Sequence, residues 1–131
     1  MPTKPLIAII DDDESVRTAL RSLMRSVGLA ARAFASAADF LGSVDGARAA
    51  CLILDVNMPV MTGLELHRQL VASGRAIPTI LITGNPDDAA RTQALRNGVV
   101  RYLCKPFPED DLLACVNEAL NRSGPAAAKL P

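Results

Sequence analysis

The sequence predicts an α/β fold in which helices cover both faces of a doubly wound, five-stranded parallel sheet. Apolar runs alternate five times with segments whose apolar residues recur at the helical period, and this alternation is typical of parallel sheets. The runs at 6–10 and 51–54 are apolar throughout, as expected of strands that are buried on both faces. We therefore expect five strands and five helices.

The composition limits the possible functions. Half of the 131 residues are apolar, and 14 basic residues balance 14 acidic ones. We therefore expect one globular domain with a substantial core and without an electrostatic footprint for nucleic acid. Cys51, Cys104 and Cys115 lack metal-type spacing, which predicts reduced core thiols in a cytoplasmic protein. The sequence shows neither a signal-peptide pattern nor an apolar run of about 18 residues, so export and membrane insertion are not expected.

The first four elements follow from apolar periodicity and turn residues. A strand is predicted over 6–10, then a helix that begins after Asp12 and ends at Gly28, and then a strand over 30–34. Ser36 is positioned to cap a short second helix. The core-facing residues assigned to the first helix are Val16, Leu20, Leu23, Met24 and Val27.

The middle of the chain contains the third strand and the third helix. The strand is predicted over 51–54, and Thr62 is expected to cap a helix that ends at Gly74. No nucleophile or metal ligand neighbours His67 on this helix, so we assign His67 to the surface. The core-facing residues assigned to the third helix are Leu64, Leu66, Leu70 and Val71.

The last third of the domain contains two more strands and two more helices. A strand over 78–82 precedes a helix that Asn85 is expected to cap, with Pro86 in its first position. This fourth helix has few large apolar residues, so we expect it to be the least tightly packed. A fifth strand over 99–104 and a fifth helix from Pro108 complete the domain.

Acidic side chains follow the first and third strands at the point where each strand ends. Asp11 and Asp12 come after the first strand, and Asp55 follows the third. The carboxyl ends of parallel strands meet at one edge of the sheet, where such sheets bind ligands. Two carboxylates about 4 Å apart repel by roughly 4 kcal/mol at an effective dielectric of about 20, so this pocket favours a cation. Oxygen-only ligands indicate Mg²⁺.

Two further polar residues belong to the same edge of the predicted sheet. Thr83 and Lys105 follow the fourth and fifth strands, and they supply a hydroxyl donor and a compact positive charge. Asp13 and Glu14, by contrast, suit the first turn of the helix dipole. Capping by Asp12 or Asp13 is the structural alternative to a role at the pocket.

Four segments at successive strand ends, Ile-Asp-Asp-Asp-Glu, Asp-Val-Asn-Met-Pro, Ile-Thr-Gly and Lys-Pro-Phe, resemble the motifs of response-regulator receiver domains. This is the CheY-like superfamily, and the sequence is most similar to its FixJ-like subgroup. The resemblance covers about residues 4–122 and implies the flavodoxin-like strand order 2-1-3-4-5. We therefore assign residues 1–122 to a receiver domain and interpret 123–131 as a linker stub or a cloning remnant.

The resemblance implies a phosphoacceptor site that depends on Mg²⁺. Asp55 would accept the phosphoryl group, since a carboxylate can act as a nucleophile toward phosphorus. Asp12, Asp55 and the backbone carbonyl of Asn57 would bind Mg²⁺, and Asp11 would hold a metal-bound water. Lys105 would pair with a phosphoryl oxygen. The protein would be a phosphoprotein of a two-component system and not an enzyme, apart from self-directed phosphoryl transfer and autodephosphorylation.

The resemblance also implies a switch next to the acceptor. The Thr83 hydroxyl would move toward the phosphoryl group, and Tyr102 would then turn inward to fill the vacated space. Asn57, Gly84 and Asn85 lie at positions that tune the reaction in this family, with Gly84 leaving room for a water molecule or a partner side chain. Signalling would therefore run from the acceptor to the surface of the fourth helix, fifth strand and fifth helix.

The implied partners are a sensor histidine kinase or a phosphotransfer protein, and a second phosphorylated copy that binds through the fourth helix, fifth strand and fifth helix. No membrane and no direct nucleic-acid contact are expected for this chain. The main alternative is that the chain is the receiver part of a helix-turn-helix transcription factor. A phosphatase with a strand-end aspartate is a second alternative, although that class usually has a second aspartate where this chain has Asn57. A flavin-binding protein is disfavoured, because the acids would repel the cofactor phosphate.

Overall fold

A computed structural model describes residues 5–123 of the chain. The strands are β1 (Leu6–Ile10), β2 (Ala30–Phe34), β3 (Cys51–Asp55), β4 (Thr79–Thr83) and β5 (Arg101–Cys104). The helices are α1 (Glu14–Ser26), α2 (Ala37–Leu41), α3 (Val44–Ala47), α4 (Gly63–Ala72), α5 (Asp88–Arg96) and α6 (Glu109–Ser123). The segment 123–131, which we interpreted as a linker stub or a cloning remnant, lies outside the described residues, apart from Ser123 at the end of α6.

The five strands form one parallel sheet in the order β2-β1-β3-β4-β5, which confirms the predicted doubly wound fold. The strand order reverses at β1, which pairs with β2 on one side and with β3 on the other. Ile10 lies opposite Leu54, so β1 and β3 end at the same level. Their carboxyl ends therefore flank the crevice in which open α/β sheets bind ligands.

Alternate strand residues build two cores, one on each face of the sheet. The core under α1 and α6 contains Ile7, Ile9, Ile53, Ile80, Ile82, Leu20, Met24, Leu112 and Val116. The core under α2, α4 and α5 contains Ala8, Ile10, Leu52, Leu54, Leu81, Phe40, Leu66, Leu70 and Ala94. Burial on both faces explains why the strands read as uninterrupted apolar runs.

The structure contains one helix more than the five predicted, since α3 follows α2 within the described residues. Ser43 caps α3 by accepting a hydrogen bond from the Gly46 amide at 3.1 Å. A Cβ at Gly46 would lie 2.7 Å from the carbonyl oxygen of Phe40, so only glycine allows this close packing. One helical turn is too short to show an apolar period, and it was therefore missed.

The assignment of the core-facing side of α4 was partly wrong. Its buried residues are Gly63, Leu66, His67 and Leu70, which recur at the spacing of one helical face. Val71 is instead 44% exposed, and His67 is 5% exposed rather than on the surface. Gly63 lies on the side of α4 that contacts the sheet, and His67, four residues later, lies on the same side and is therefore buried. Burial lowers the pKa of His67, so the imidazole is neutral in the fold at neutral pH.

Helix α5 begins two residues later than predicted. Asp87, not Asn85, is the N-cap, and its carboxylate accepts a hydrogen bond from the Ala89 amide at 2.9 Å. Asp87 and Asn85 are both good capping residues, so propensity does not distinguish them. The small apolar contact expected of this helix is observed, because Ala94 is the buried residue of α5 and Leu95 is 43% exposed.

Two further side chains assigned to the core are exposed. Val27 is 48% exposed because it is the C-cap of α1, where the chain leaves the helix. Cys104 is exposed at the end of β5, whereas Cys51 and Cys115 are buried as predicted. All three cysteines are free thiols.

Strand boundaries agree with the predictions within one or two residues, as usual for element ends. None of the helices in the described part of the chain has the length and apolar character needed to cross a membrane.

Candidate functional site: an acidic pocket at the carboxyl edge of the sheet

Four strand ends deliver polar side chains to one edge of the sheet. Asp11 follows β1, Asp55 is the last residue of β3, Thr83 is the last residue of β4 and Lys105 follows β5. Asp11, Asp55 and Thr83 are buried, with at most 3% of each residue exposed. The sequence-based prediction that these residues share one site is therefore consistent with the fold.

The pocket contains three carboxylates. Oxygen atoms of Asp11, Asp12 and Asp55 all lie within 4.8 Å of one another, and Asp12 is the exposed member of the group. Such a set of oxygen ligands suits a hard divalent cation, because neighbouring carboxylates repel unless a positive charge lies between them. The donor set therefore fits the Mg²⁺ ion inferred from the sequence.

Lys105 supplies the positive charge of the protein in this pocket. Its Nζ lies 3.2 Å from Oδ2 of Asp11 and 3.8 Å from Oδ1 of Asp55. The side chain of Lys105 is 29% exposed, so the ammonium group reaches the two acids from the rim. Both acids thus share one lysine, which offsets only part of their negative charge.

Backbone amides orient the two buried carboxylates. The Asp13 amide donates to Oδ1 of Asp11 at 2.9 Å, and the Asn57 amide donates to Oδ1 of Asp55 at 3.2 Å. The Asp13 carboxylate itself caps α1 and accepts hydrogen bonds from Ser15. Capping by Asp13 is therefore confirmed. Arg17, which the sequence analysis did not single out, donates to the carbonyl oxygen of Asp11 at 2.8 Å.

The pKa of Asp55 is raised to about 6. Burial is the largest cause, and the negative charge of Asp11 is the second. The Asn57 amide and Lys105 act in the opposite direction without overcoming the rise. Asp55 is therefore ionised at neutral pH and close to protonation under mildly acidic conditions.

Thr83 takes part in a short chain of hydrogen bonds beside the pocket. Its hydroxyl donates to Oδ1 of Asn57 at 2.7 Å, and its oxygen accepts from the Asn85 amide at 3.0 Å. A Cβ at Gly84 would meet no atom within 4 Å, which agrees with the open space expected there. The hydroxyl is thus held by Asn57 in this structure.

Tyr102 packs against the core under α2, α4 and α5. Its hydroxyl oxygen is buried and has no hydrogen-bond partner among residues 5–123. Tyr102 is thus a partly buried residue that contacts this core while the Thr83 hydroxyl is bonded to Asn57.

Gly63, the first residue of α4, lies next to the site, and the sequence analysis assigned it no role there. A Cβ on Gly63 would clash with the backbone carbonyl oxygen of Asp55. The Gly63 amide also donates to the carbonyl oxygen of Val56 at 3.0 Å. The first residue of α4 thus packs directly against the backbone of Asp55. A glycine directly after the predicted cap Thr62 was the available signal for this close approach.

Comparison with known proteins identifies the family. The sequence model of one protein family, the response regulator receiver domain, matches residues 7–117. The chain belongs to this family. The receiver domain is 45% identical to the response regulator protein TodT of Pseudomonas putida over 115 residues, covering 88% of this chain and 51% of TodT. It is 35% identical over 127 residues to the transcriptional regulatory protein FixJ of Bradyrhizobium diazoefficiens, covering 97% of this chain and 62% of FixJ.

The fold comparison agrees with this assignment. A solved structure of the response regulator StyR has a TM-score of 0.86 and 36% identity, covering 96% of this chain and 64% of StyR. The predicted similarity to FixJ-like response regulators is confirmed. The receiver domain spans about half the length of curated relatives such as TodT and the response regulator protein TmoT of Ectopseudomonas mendocina.

Proposed function

We propose that this receiver domain accepts a phosphoryl group on Asp55 from a sensor histidine kinase or a phosphotransfer protein, in a reaction that requires Mg²⁺. The observation that carries the proposal is the position of Asp55. It is a buried carboxylate with Asp11 and Asp12 within 4.8 Å and Lys105 at 3.8 Å. A nucleophile and the charges needed around it thus lie in one pocket.

The proposed reaction forms an acyl phosphate. A carboxylate oxygen of Asp55 attacks the phosphorus of a phosphohistidine, and the P–N bond breaks with its electron pair passing to the imidazole. Asp55 has the required carboxylate form above its pKa of about 6. The product carries about 1.5 to 2 negative charges, so the pocket must supply positive charge.

Asp12, Asp55 and the backbone carbonyl of Asn57 would bind Mg²⁺ directly, and Asp11 would bind through a water. The ion supplies the positive charge that lets an acidic pocket accept another anion. Lys105 adds a second positive charge, and it is already placed between Asp11 and Asp55. Because Asp12 is exposed, the proposed metal site would be open to solvent.

The output of the domain is proposed to depend on Thr83 and Tyr102. The Thr83 hydroxyl would donate to a phosphoryl oxygen on Asp55, and Tyr102 would respond from β5. The affected surface comprises α5, β5 and α6, and we call it the output surface. We propose that phosphorylated copies form a homodimer through it, because Leu95 of the thinly packed α5 is 43% exposed there.

The family consists of signalling domains rather than classical enzymes. We also propose that the domain hydrolyses its own phosphoryl group, at a rate that depends on Asn57, Gly84 and Asn85.

A second candidate function is that the chain is the receiver part of a longer transcription regulator. It is supported by the length of TodT and FixJ relative to this chain and by the description of FixJ as a transcriptional regulatory protein. Sequencing the gene beyond residue 131 tests it, since a helix-turn-helix in frame is expected.

Replacement of Asp55 tests the phosphoacceptor directly. Asp55→Ala should abolish Mg²⁺-dependent phosphate incorporation from acetyl phosphate, because Asp11 and Asp12 are engaged at the metal site. Intact-mass spectrometry measures the addition of the phosphoryl group. Asp13→Ala is the matched control and should keep the modification, since Asp13 caps α1. Full incorporation into Asp55→Ala would assign the acceptor to another residue.

A further inference from the structure

The Thr83 hydroxyl has one proton, and two acceptors compete for it. In this structure the proton is donated to Oδ1 of Asn57 at 2.7 Å. The hydroxyl oxygen is meanwhile fixed by the Asn85 amide at 3.0 Å. A hydroxyl can donate only once, so Thr83 cannot bond both Asn57 and a phosphoryl oxygen on Asp55.

We propose that the side chain of Asn57 is a positioning residue that holds Thr83 in the resting state and thereby sets how readily the domain is activated. This inference rests on the proposed phosphorylation of Asp55. It concerns the Asn57 side chain, whereas the proposed metal ligand is the backbone carbonyl of the same residue.

The contacts of Asn57 connect the acceptor to Thr83. Its backbone amide donates to Oδ1 of Asp55 at 3.2 Å, which fixes the residue next to the acceptor. Its side-chain oxygen then accepts from Thr83, which is fully buried. A buried hydroxyl needs a partner, so loss of Asn57 leaves the Thr83 proton without this acceptor until a phosphoryl oxygen provides one. Truncating Asn57 therefore raises the free energy of the resting state more than that of the activated state.

The expected effect is moderate. One neutral hydrogen bond changes an equilibrium by about twofold to tenfold. Because the Asn57 side chain lies at the surface, water can take its place and replace part of the lost bond, which limits the effect to this range. Asn57 is itself exposed, so Asn57→Ala removes little packing and should leave the fold intact.

The experiment is a titration with beryllofluoride and Mg²⁺, followed by NMR of the Thr83 methyl group and the Asn85 amide. The concentration at half-saturation should fall by about twofold to tenfold in Asn57→Ala relative to wild type. Without metal or beryllofluoride, the Thr83 and Asn85 signals of Asn57→Ala should already move toward their activated positions. Asn57→Asp keeps an acceptor oxygen and should keep the resting Thr83 signals in the same metal-free measurement.

Two controls make the result specific. Asn117→Ala removes an exposed asparagine of α6 and should change neither quantity. In a Thr83→Val background, Asn57→Ala should no longer change the half-saturation concentration, since the competing hydroxyl is absent. An unchanged or higher concentration for Asn57→Ala, or a persistent effect with Val at position 83, would overturn the inference. Absence of beryllofluoride binding by wild type would instead overturn the proposed function on which it rests.

Discussion

Asp55 must be ionised to act as a nucleophile or as a metal ligand, and its raised pKa sets the pH range in which it can do so. Burial and the charge of Asp11 together bring this pKa to about 6. The proposed Mg²⁺ ion and the proton would therefore compete for the same carboxylate. The competition is weak at neutral pH and becomes strong just below pH 6.

The first consequence is a pH-dependent affinity for Mg²⁺. Between pH 7 and pH 5 the apparent affinity should fall, approaching about tenfold per pH unit below the pKa of Asp55, because one proton must leave for each ion bound. Carboxyl ¹³C NMR of the metal-free protein should show Asp55 titrating near pH 6. Asp13 is the internal control, since hydrogen bonds from Ser15 lower its pKa. An Asp55 signal that titrates in the ordinary range of aspartate would contradict this assignment.

Thermal stability is a poor measurement of the same effect. The raised pKa of Asp55 stabilises the metal-free fold as pH falls from about 6 toward 3.8, because the folded state binds the proton more tightly. The lowered pKa of His67 acts in the opposite direction, since the unfolded state gains the proton first below its ordinary value of 6.5. The two contributions overlap, and only a residue-specific signal separates them.

The positions of residues at the pocket were predictable because strand ends are easy to locate. Apolar runs that stop at Asp11 and Asp55 place both carboxylates at one edge, whatever the details of packing. The Asn57 to Thr83 contact was not predictable, because it joins two side chains whose rotamers depend on the folded loop. Val60 gives another example: its φ of 71° is rare for a β-branched residue, and no local pattern indicates it.

At the scale of elements, the start of α4 packs against the backbone of Asp55. Thr62 and Glu65 form a reciprocal capping box, with bonds of 2.8 and 3.1 Å between each side chain and the backbone amide of the other residue. The cap fixes where α4 begins, and Gly63 then packs against the carbonyl of Asp55. The position of the Asp55 backbone thus depends on the N-terminus of α4.

Gly63→Ala should therefore destabilise the fold, although alanine is the better helix former. Overpacking typically costs about 1 to 3 kcal/mol, which exceeds the gain of about 1 kcal/mol from helix propensity. Urea unfolding measures the difference. Gly42→Ala is the matched control, because a Cβ there lies at an ordinary 3.5 Å from the Ala38 carbonyl oxygen. Equal free energies of unfolding for Gly63→Ala and wild type would show that the backbone of Asp55 can move away from the added methyl group without destabilising the fold.

Element positions were predicted better than element ends. All five strands and the five longer helices follow from apolar runs, because burial on two sheet faces imposes the pattern directly. The start of α5 was misplaced because Asn85 and Asp87 both cap well, and the choice depends on the loop after β4. His67 was misplaced because the rotation of α4 is set by the contact of Gly63 with β3, which the apolar pattern alone does not show.

For the whole molecule, the helices differ in how much apolar surface they bury against the sheet. Helix α6 buries Leu112, Val116 and Ala119 completely, whereas α5 buries Ala94 as its contact with the core. A helix with little buried apolar area can shift at low cost in free energy. The side of the output surface nearest Thr83 is therefore the part of the domain best suited to change on phosphorylation.

The last prediction concerns the oligomeric state. The receiver domain should be monomeric without ligand and should dimerise with Mg²⁺ and beryllofluoride, as measured by analytical ultracentrifugation at micromolar concentration. Leu95→Glu should prevent the dimer, because the charge would be buried against the partner surface. Val44→Glu is the matched control: Val44 is 77% exposed on α3, outside the output surface, and its replacement should leave dimerisation unchanged.

Each outcome of that measurement has a distinct meaning. Leu95→Glu should still bind beryllofluoride, because the substitution lies on α5 and outside the acidic pocket. Loss of the dimer with retained binding then locates the interface on the output surface. A dimer that resists Leu95→Glu but is broken by Val44→Glu would move the interface to the region around α2 and α3, near β2. A monomer at saturating beryllofluoride would show that phosphorylation signals through a different partner.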